Sequence, residues 1–115
     1  MAYYVFGPSI SPDVTKATGT GNIATTTTLN KAFRLVSVTI KLSVATANNF
    51  TITKDALNGA AYDAVLQTLL GASGANFVFI PDEDLKFQKG DEIAVAWTND
   101  GPGATYGLEI TTEDI

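Results

Sequence analysis

An all-β fold, an antiparallel sandwich of jelly-roll-like form with about seven or eight strands, is what this chain predicts. Three observations carry the prediction. Residues 85–112, LKFQKGDEIAVAWTNDGPGATYGLEITT, hold two runs of alternating apolar and polar side chains joined by Asn99-Asp100-Gly101-Pro102-Gly103. Successive strand side chains face opposite sides of a sheet, so Ile93, Val95 and Trp97 share one side, as do Tyr106, Leu108 and Ile110. The pair reads as a hairpin. Residues 33–44 form the longest clean alternation, and Gly-, Pro- and Asn-rich turns recur at short intervals with no longer repeat that would mark a solenoid or propeller.

Taken in chain order, residues 7–31 are rich in Gly, Ser, Thr and Pro and read as an extended arm with an edge strand around residues 23–29. The four threonines Thr25 to Thr28 suit a half-exposed strand, because β-branching restricts χ1 and the hydroxyls can face water. Residues 33–44 predict the central strand, with Val36, Val38, Ile40, Leu42 and Val44 inward. Beyond the Ala47-Asn48-Asn49 turn, Phe50 and Ile52 alternate with Thr51 and Thr53 as its antiparallel partner.

Residues 60–70 carry two periods at once. Tyr62, Val65, Leu66, Leu69 and Leu70 fall at helical spacing before Gly71, while Tyr62, Ala64, Leu66, Thr68 and Leu70 make a strand face. The all-β setting and the Asn58-Gly59 turn signal favour the strand. Residues 76–80 predict a short buried strand that Pro81 ends for want of a ladder donor. Asp82-Glu83-Asp84 form a loop, Leu85 and Phe87 pin it to the core, and Lys89-Gly90-Asp91 turns into the last two runs. One domain spans 1–115, with 1–30 as arm and edge strand and 33–112 as the sandwich core.

Composition narrows the function. A chain that is 45% hydrophobic and 17% charged is globular, and no apolar run approaches the ~20 residues that cross a bilayer. A soluble protein with no membrane partner is expected. The start, MAYYVFGPS, has no basic region followed by an apolar stretch, so synthesis in the cytoplasm is expected. A net charge of −5, with the seven cations scattered singly, argues against nucleic acid, whose binding is built from clustered Lys and Arg.

With no histidine and no cysteine, Ser-His-Asp and Cys-His nucleophiles, Cys/His zinc sites and disulfides are excluded, and the expectation is a non-enzymatic chain without cofactor. A paired-carboxylate glycosidase needs two acids facing each other across a cleft. Here the acids sit mainly beside turns. Asp82, Glu83, Asp84, Asp91 and Glu92 offer oxygen ligands for calcium, but their spacing is not that of an EF-hand loop, and they read as solvated loop acids. Trp97, the one tryptophan, is in register with Ile93 and Val95 and so belongs to the core rather than to a sugar-stacking platform. Tyr3, Tyr4 and Phe6 cluster at an otherwise polar N-terminus, as a first strand or as an anchor on a neighbouring subunit.

Over residues 33–112, the segments YDAVLQTLL, FVFIPDEDLKFQKGDEIAVAWTND and YGLEI resemble small β-sandwich virion structural proteins of tailed bacteriophages and prophages. The KGDEIAV element also resembles the late hairpin of tumour-necrosis-factor-like and complement-type jelly rolls, which are commonly trimers. The resemblance implies a structural part of a virion, a capsid decoration or accessory protein that binds the major capsid protein or another virion protein as a homo-oligomer, with a trimer as the implied state. Tyr3, Tyr4, Phe6 and the arm over residues 7–22 are the expected docking elements. The other reading is a carbohydrate- or receptor-binding module of a phage tail or fibre, gripping a glycan through a loop aromatic and carboxylates.

Overall fold

The computed structural model describes residues 12–72, 74–101 and 103–115; Tyr3, Tyr4 and Phe6 lie outside them. Nine strands follow one another: β1 Asp13–Gly19, β2 Ile23–Thr28, β3 Phe33–Thr46, β4 Phe50–Asp55, β5 Ala64–Leu69, β6 Gly74–Phe79, β7 Lys86–Phe87, β8 Glu92–Trp97 and β9 Tyr106–Asp114. Sheet A has the order β1-β9-β3-β6 with β7 beside the start of β3, and sheet B the order β2-β8-β4-β5. Every pairing is antiparallel. All steps except β4 to β5 and β6 to β7 cross between the sheets, which makes the sandwich a jelly roll.

That crossing corrects two expected pairings. β8 and β9 are not a hairpin, nor are β3 and β4: in each case the two strands lie in different sheets. The alternation could not tell these arrangements apart. A strand that pairs with its neighbour and one that faces it across the core both bury every second side chain. Within the stretch expected as an arm, residues 13–19 are β1, paired along β9, and residues 23–28 are β2, paired along β8. Hydroxyl-rich edge strands bury little, with only Ile23 and Thr27 of β2 fully covered, so their sequences carry a weak apolar signal.

Three strand pairings carry register shifts: β3–β6 between Lys41 and Thr46, and two more that rephase the alternation. In β3 the register against β9 shifts between Leu35 and Ser37, so Phe33 and Leu35 point inward below the bulge and Val38, Ile40 and Leu42 above it. Val36 sits at the shift and is only half-buried, while Val44 lies past the last core position, 49% exposed. In the β4–β5 pairing the register shifts between Ile52 and Thr53, and Leu66 and Leu69 pack on the core. Residues 64–69 are thus a strand, but Tyr62, Ala64, Thr68 and Leu70 of its expected face are exposed. β6 is an edge strand and not a buried one, with Val78 60% exposed.

Between the sheets, Phe50 stacks on Trp97 at 5.4 Å and Phe33 on Phe87 at 4.9 Å, over a layer of Ile and Val with no solvent contact. Burying each such side chain is worth roughly 1.5–3 kcal/mol, so with no disulfide this layer is the main source of stability. At the upper end, Trp97 Nε1 donates to Thr46 Oγ1 (3.1 Å), which also accepts the Asn48 N–H (3.0 Å) and donates to Asp100 (2.7 Å). One buried hydroxyl thereby joins the core to two loops. Asn99 holds a third: its N–H donates to Asn22 Oδ1 (2.8 Å) and its side-chain amide to the Thr20 carbonyl (3.0 Å). Gly71 comes so close to the Asn48 carbonyl that any Cβ would overlap it, which locks the β5–β6 turn onto the β3–β4 turn.

At the lower end Asp91 does comparable work. Its side chain is 1% exposed, and its two oxygens accept from the N–H groups of Leu57 (3.0 Å) and Gln88 (3.1 Å), with Lys54 Nζ 3.8 Å away. It is not the solvated loop acid its turn position suggests. Burial pushes its carboxyl up, but the Leu57 and Gln88 N–H groups and the Lys54 charge outweigh that and hold it below the ordinary carboxylate range. A lowered pKa gives stability that is present above the unfolded carboxylate value, about 4, and is lost as pH falls through the folded value. Asp91→Asn leaves one N–H without an acceptor. It is expected to cost about 1–3 kcal/mol in urea unfolding at pH 7 and to flatten the loss of stability on acidification; an unchanged acid limb would refute the assignment.

Candidate functional site: the β5–β6 flank

The carboxylates were the first candidates for chemistry, and the fold gives several of them structural partners. Asp84 pairs with Arg34 (3.3 Å) and Lys86 (3.6 Å), and Asp91 is consumed by the staple between loops. Glu92 accepts from Thr28 Oγ1 at 2.6 Å. The negative charge of Asp63, then partial burial and Glu92, pushes Asp55 above the ordinary carboxylate range. Asp55, Asp63 and Glu92 lie close enough at the lower end to repel one another. Among the described residues no three His, Cys, Asp or Glu side chains gather to hold a metal ion.

Trp97 is 4% exposed, hydrogen-bonded through Nε1 and stacked on Phe50, as its register implies. It offers no platform to a sugar. An open depression of about 500 Å³ lies over Gly19 and Gly107, walled by Lys41, Ser43, Thr105 and Tyr106. Its polar groups are hydroxyls and one ammonium, with no acid–base pair set to act on a bound molecule.

The surface that departs from an ordinary soluble exterior is the flank where β5, the edge of sheet B, runs alongside β6, the edge of sheet A. Val65 (64%), Leu70 (70%), Val78 (60%) and Ile80 (67%) are exposed there, beside half-buried Leu66, Leu69, Phe77 and Phe79. No charged side chain occurs from residue 64 to residue 81. Natural edge strands are usually guarded by charge or proline, and this pair of edges is guarded only by the β5 bulge and Pro81. On the opposite flank the edges are hydroxyl-rich, and Lys16 bridges to Glu109 at 3.4 Å.

No protein-family model, curated protein or solved structure matches the chain. The site therefore rests on its own chemistry. Sequence reasoning missed Val65, Leu70, Val78 and Ile80 because it assigned the surrounding apolar residues to strand cores. A signal was present: an uncharged run with more apolar side chains than one inward face can bury.

Charge is distributed with the same polarity. Apart from Asp100 and Glu109, every carboxylate of the chain lies toward the lower end, where β3 and β8 begin. Lys31 there bridges Asp13 (2.9 Å) and Asp114 (2.6 Å), and Arg34 joins Asp84 and Glu113. In the upper part Lys16 and Lys41 balance Glu109 and Asp100, so the net charge of −5 falls on the lower end.

Two outcomes check this surface. Trp97 emission is expected to be blue-shifted, protected from iodide and unaltered by added glycans; a quencher-accessible indole would return the loop-aromatic reading. Val65→Lys and Ile80→Lys, each exposed in the single chain, are expected to move the unfolding stability of the dilute monomer by less than about 0.5 kcal/mol.

Proposed function

We propose that this protein is a non-enzymatic structural component of a virus particle, a decoration or accessory protein that acts by protein–protein contact on the shell. The observation that carries the reading is the uncharged, apolar β5–β6 flank on a jelly roll whose polar groups are spent on holding loops. An exposed patch of this kind is characteristic of association surfaces, and nothing comparable in the described residues points to catalysis. The resemblance of residues 33–112 to phage virion sandwiches supplies the particle as the setting. On a repeated lattice, individually modest contacts gain from high effective concentration, so a small chain needs no single strong anchor.

Tyr3, Tyr4 and Phe6 are the proposed anchors to the shell protein. Because β1 begins at Asp13, the segment to remove is residues 1–11, which leaves every described strand in place. The chain is expected in many copies in density-banded particles from the producing culture, detected by mass spectrometry. Deletion of residues 1–11 is expected to abolish its co-sedimentation with those particles while the β-sheet circular-dichroism signal persists. Particles free of the chain would overturn the reading.

A further inference from the structure

We infer that the occupant of the β5–β6 flank is a second copy of this chain, docked about a twofold axis with β6 antiparallel to its counterpart. This rests on the proposed reading of the flank as an association surface and names its occupant, leaving contact with the shell to Tyr3, Tyr4 and Phe6. Three observations on the flank converge. β6 pairs with β3 on one side, and the described residues offer no strand to its other edge, so a row of N–H and C=O groups is left for pairing. Its register is regular from Asn76 to Phe79, whereas β5 carries a bulge, so β6 is the edge fit to extend a sheet. Half-buried Phe77 and Phe79 of β6 and Leu66 and Leu69 of β5 reach the open side of the core, and Val78 on β6 and Val65 on β5 are exposed on the outer faces of their sheets.

Charge selects the partner and the symmetry. Two copies of a chain carrying −5 repel at most approaches, and least where the surface holds no charge, which is the stretch from residue 64 to residue 81. A foreign partner selected electrostatically would be read by a charged surface, and this one is blank. Antiparallel pairing about a twofold axis also sends the two acidic lower ends in opposite directions. A threefold axis along the strands, the arrangement implied by the likeness to trimeric jelly rolls, would gather those ends together. The twofold dimer joins the two copies of sheet A into one continuous sheet, an isologous contact in which the same patch serves both subunits.

The test is light scattering of the purified full chain over a concentration series, with Val78→Lys, Val65→Lys and, on the far flank, Thr26→Lys. A dimer is expected for the parent and for Thr26→Lys, with association weakened at least tenfold by Val78→Lys and by Val65→Lys. Each lysine puts a charge into an uncharged contact, and Thr26→Lys, with the same change in net charge on the far flank, controls for a general charge effect. Thermal unfolding of each variant shows that the sandwich is intact. Independently, hydrogen exchange of the parent is expected to show residues 76–80 gaining protection as concentration rises. A monomer at every concentration, a trimer, a dimer indifferent to Val78→Lys, or exchange at β6 independent of concentration would each overturn the inference, and none would bear on whether the chain is found in particles.

Discussion

Burial of the inner faces of two sheets against each other is the constraint from which the rest of this structure follows. With no disulfide and no metal cluster among the described residues, the layer between β3 and β9 on one side and β4 and β8 on the other carries the stability. Keeping that layer continuous requires the bulge near Val36, because a strand of fourteen residues without it would turn half its apolar side chains outward. It also requires the chain to cross between sheets, so that each sheet acquires its cover as it is built.

The crossings are made by loops at both ends, most of them only three or four residues long, and several polar residues are spent on holding them. Thr46, Asp100 and Asn99 hold the upper loops and Asp91 the lower ones, each satisfying backbone N–H or carbonyl groups that would otherwise be buried or frayed. Such use explains why acids that look available in sequence do not form a site. It also concentrates negative charge at one end, and so leaves the flanks to be read by shape and apolar surface. Between the flanks the difference is chemical: hydroxyls, an ion pair and a single exposed valine, Val14, on β1 and β2, and a wholly uncharged stretch with exposed Val65, Leu70, Val78 and Ile80 on and beside β5 and β6.

Association through an edge strand is a natural role for a fold of this kind. A sandwich closes its faces but not its edges, and an edge left without charge is stable in solution only if something covers it. In a lattice-bound protein the same edge can be met repeatedly, which turns a folding liability into a means of assembly.

The local pattern of the sequence was sufficient for the strand class, for the inward placement of Ile93, Val95 and Trp97, and for excluding histidine and cysteine chemistry, whereas at residues 64–69 it fitted helix and strand alike and only the all-β setting favoured the strand. These depend on side-chain periodicity and composition, which are properties of a short window. Which strands pair was not legible, because β8 and β9 alternate in the same way whether they share a sheet or face each other. Nor was the burial of Asp91, whose partners Leu57 and Gln88 are brought to it from a distant turn and from its own. The exposed flank was hidden for the same reason: Val78 and Ile80 look like core residues until the topology leaves β6 at an edge. Only the tertiary structure decided these points, since sheet order sets which faces and edges meet water, and that order is a sum of long-range contacts that no local pattern contains.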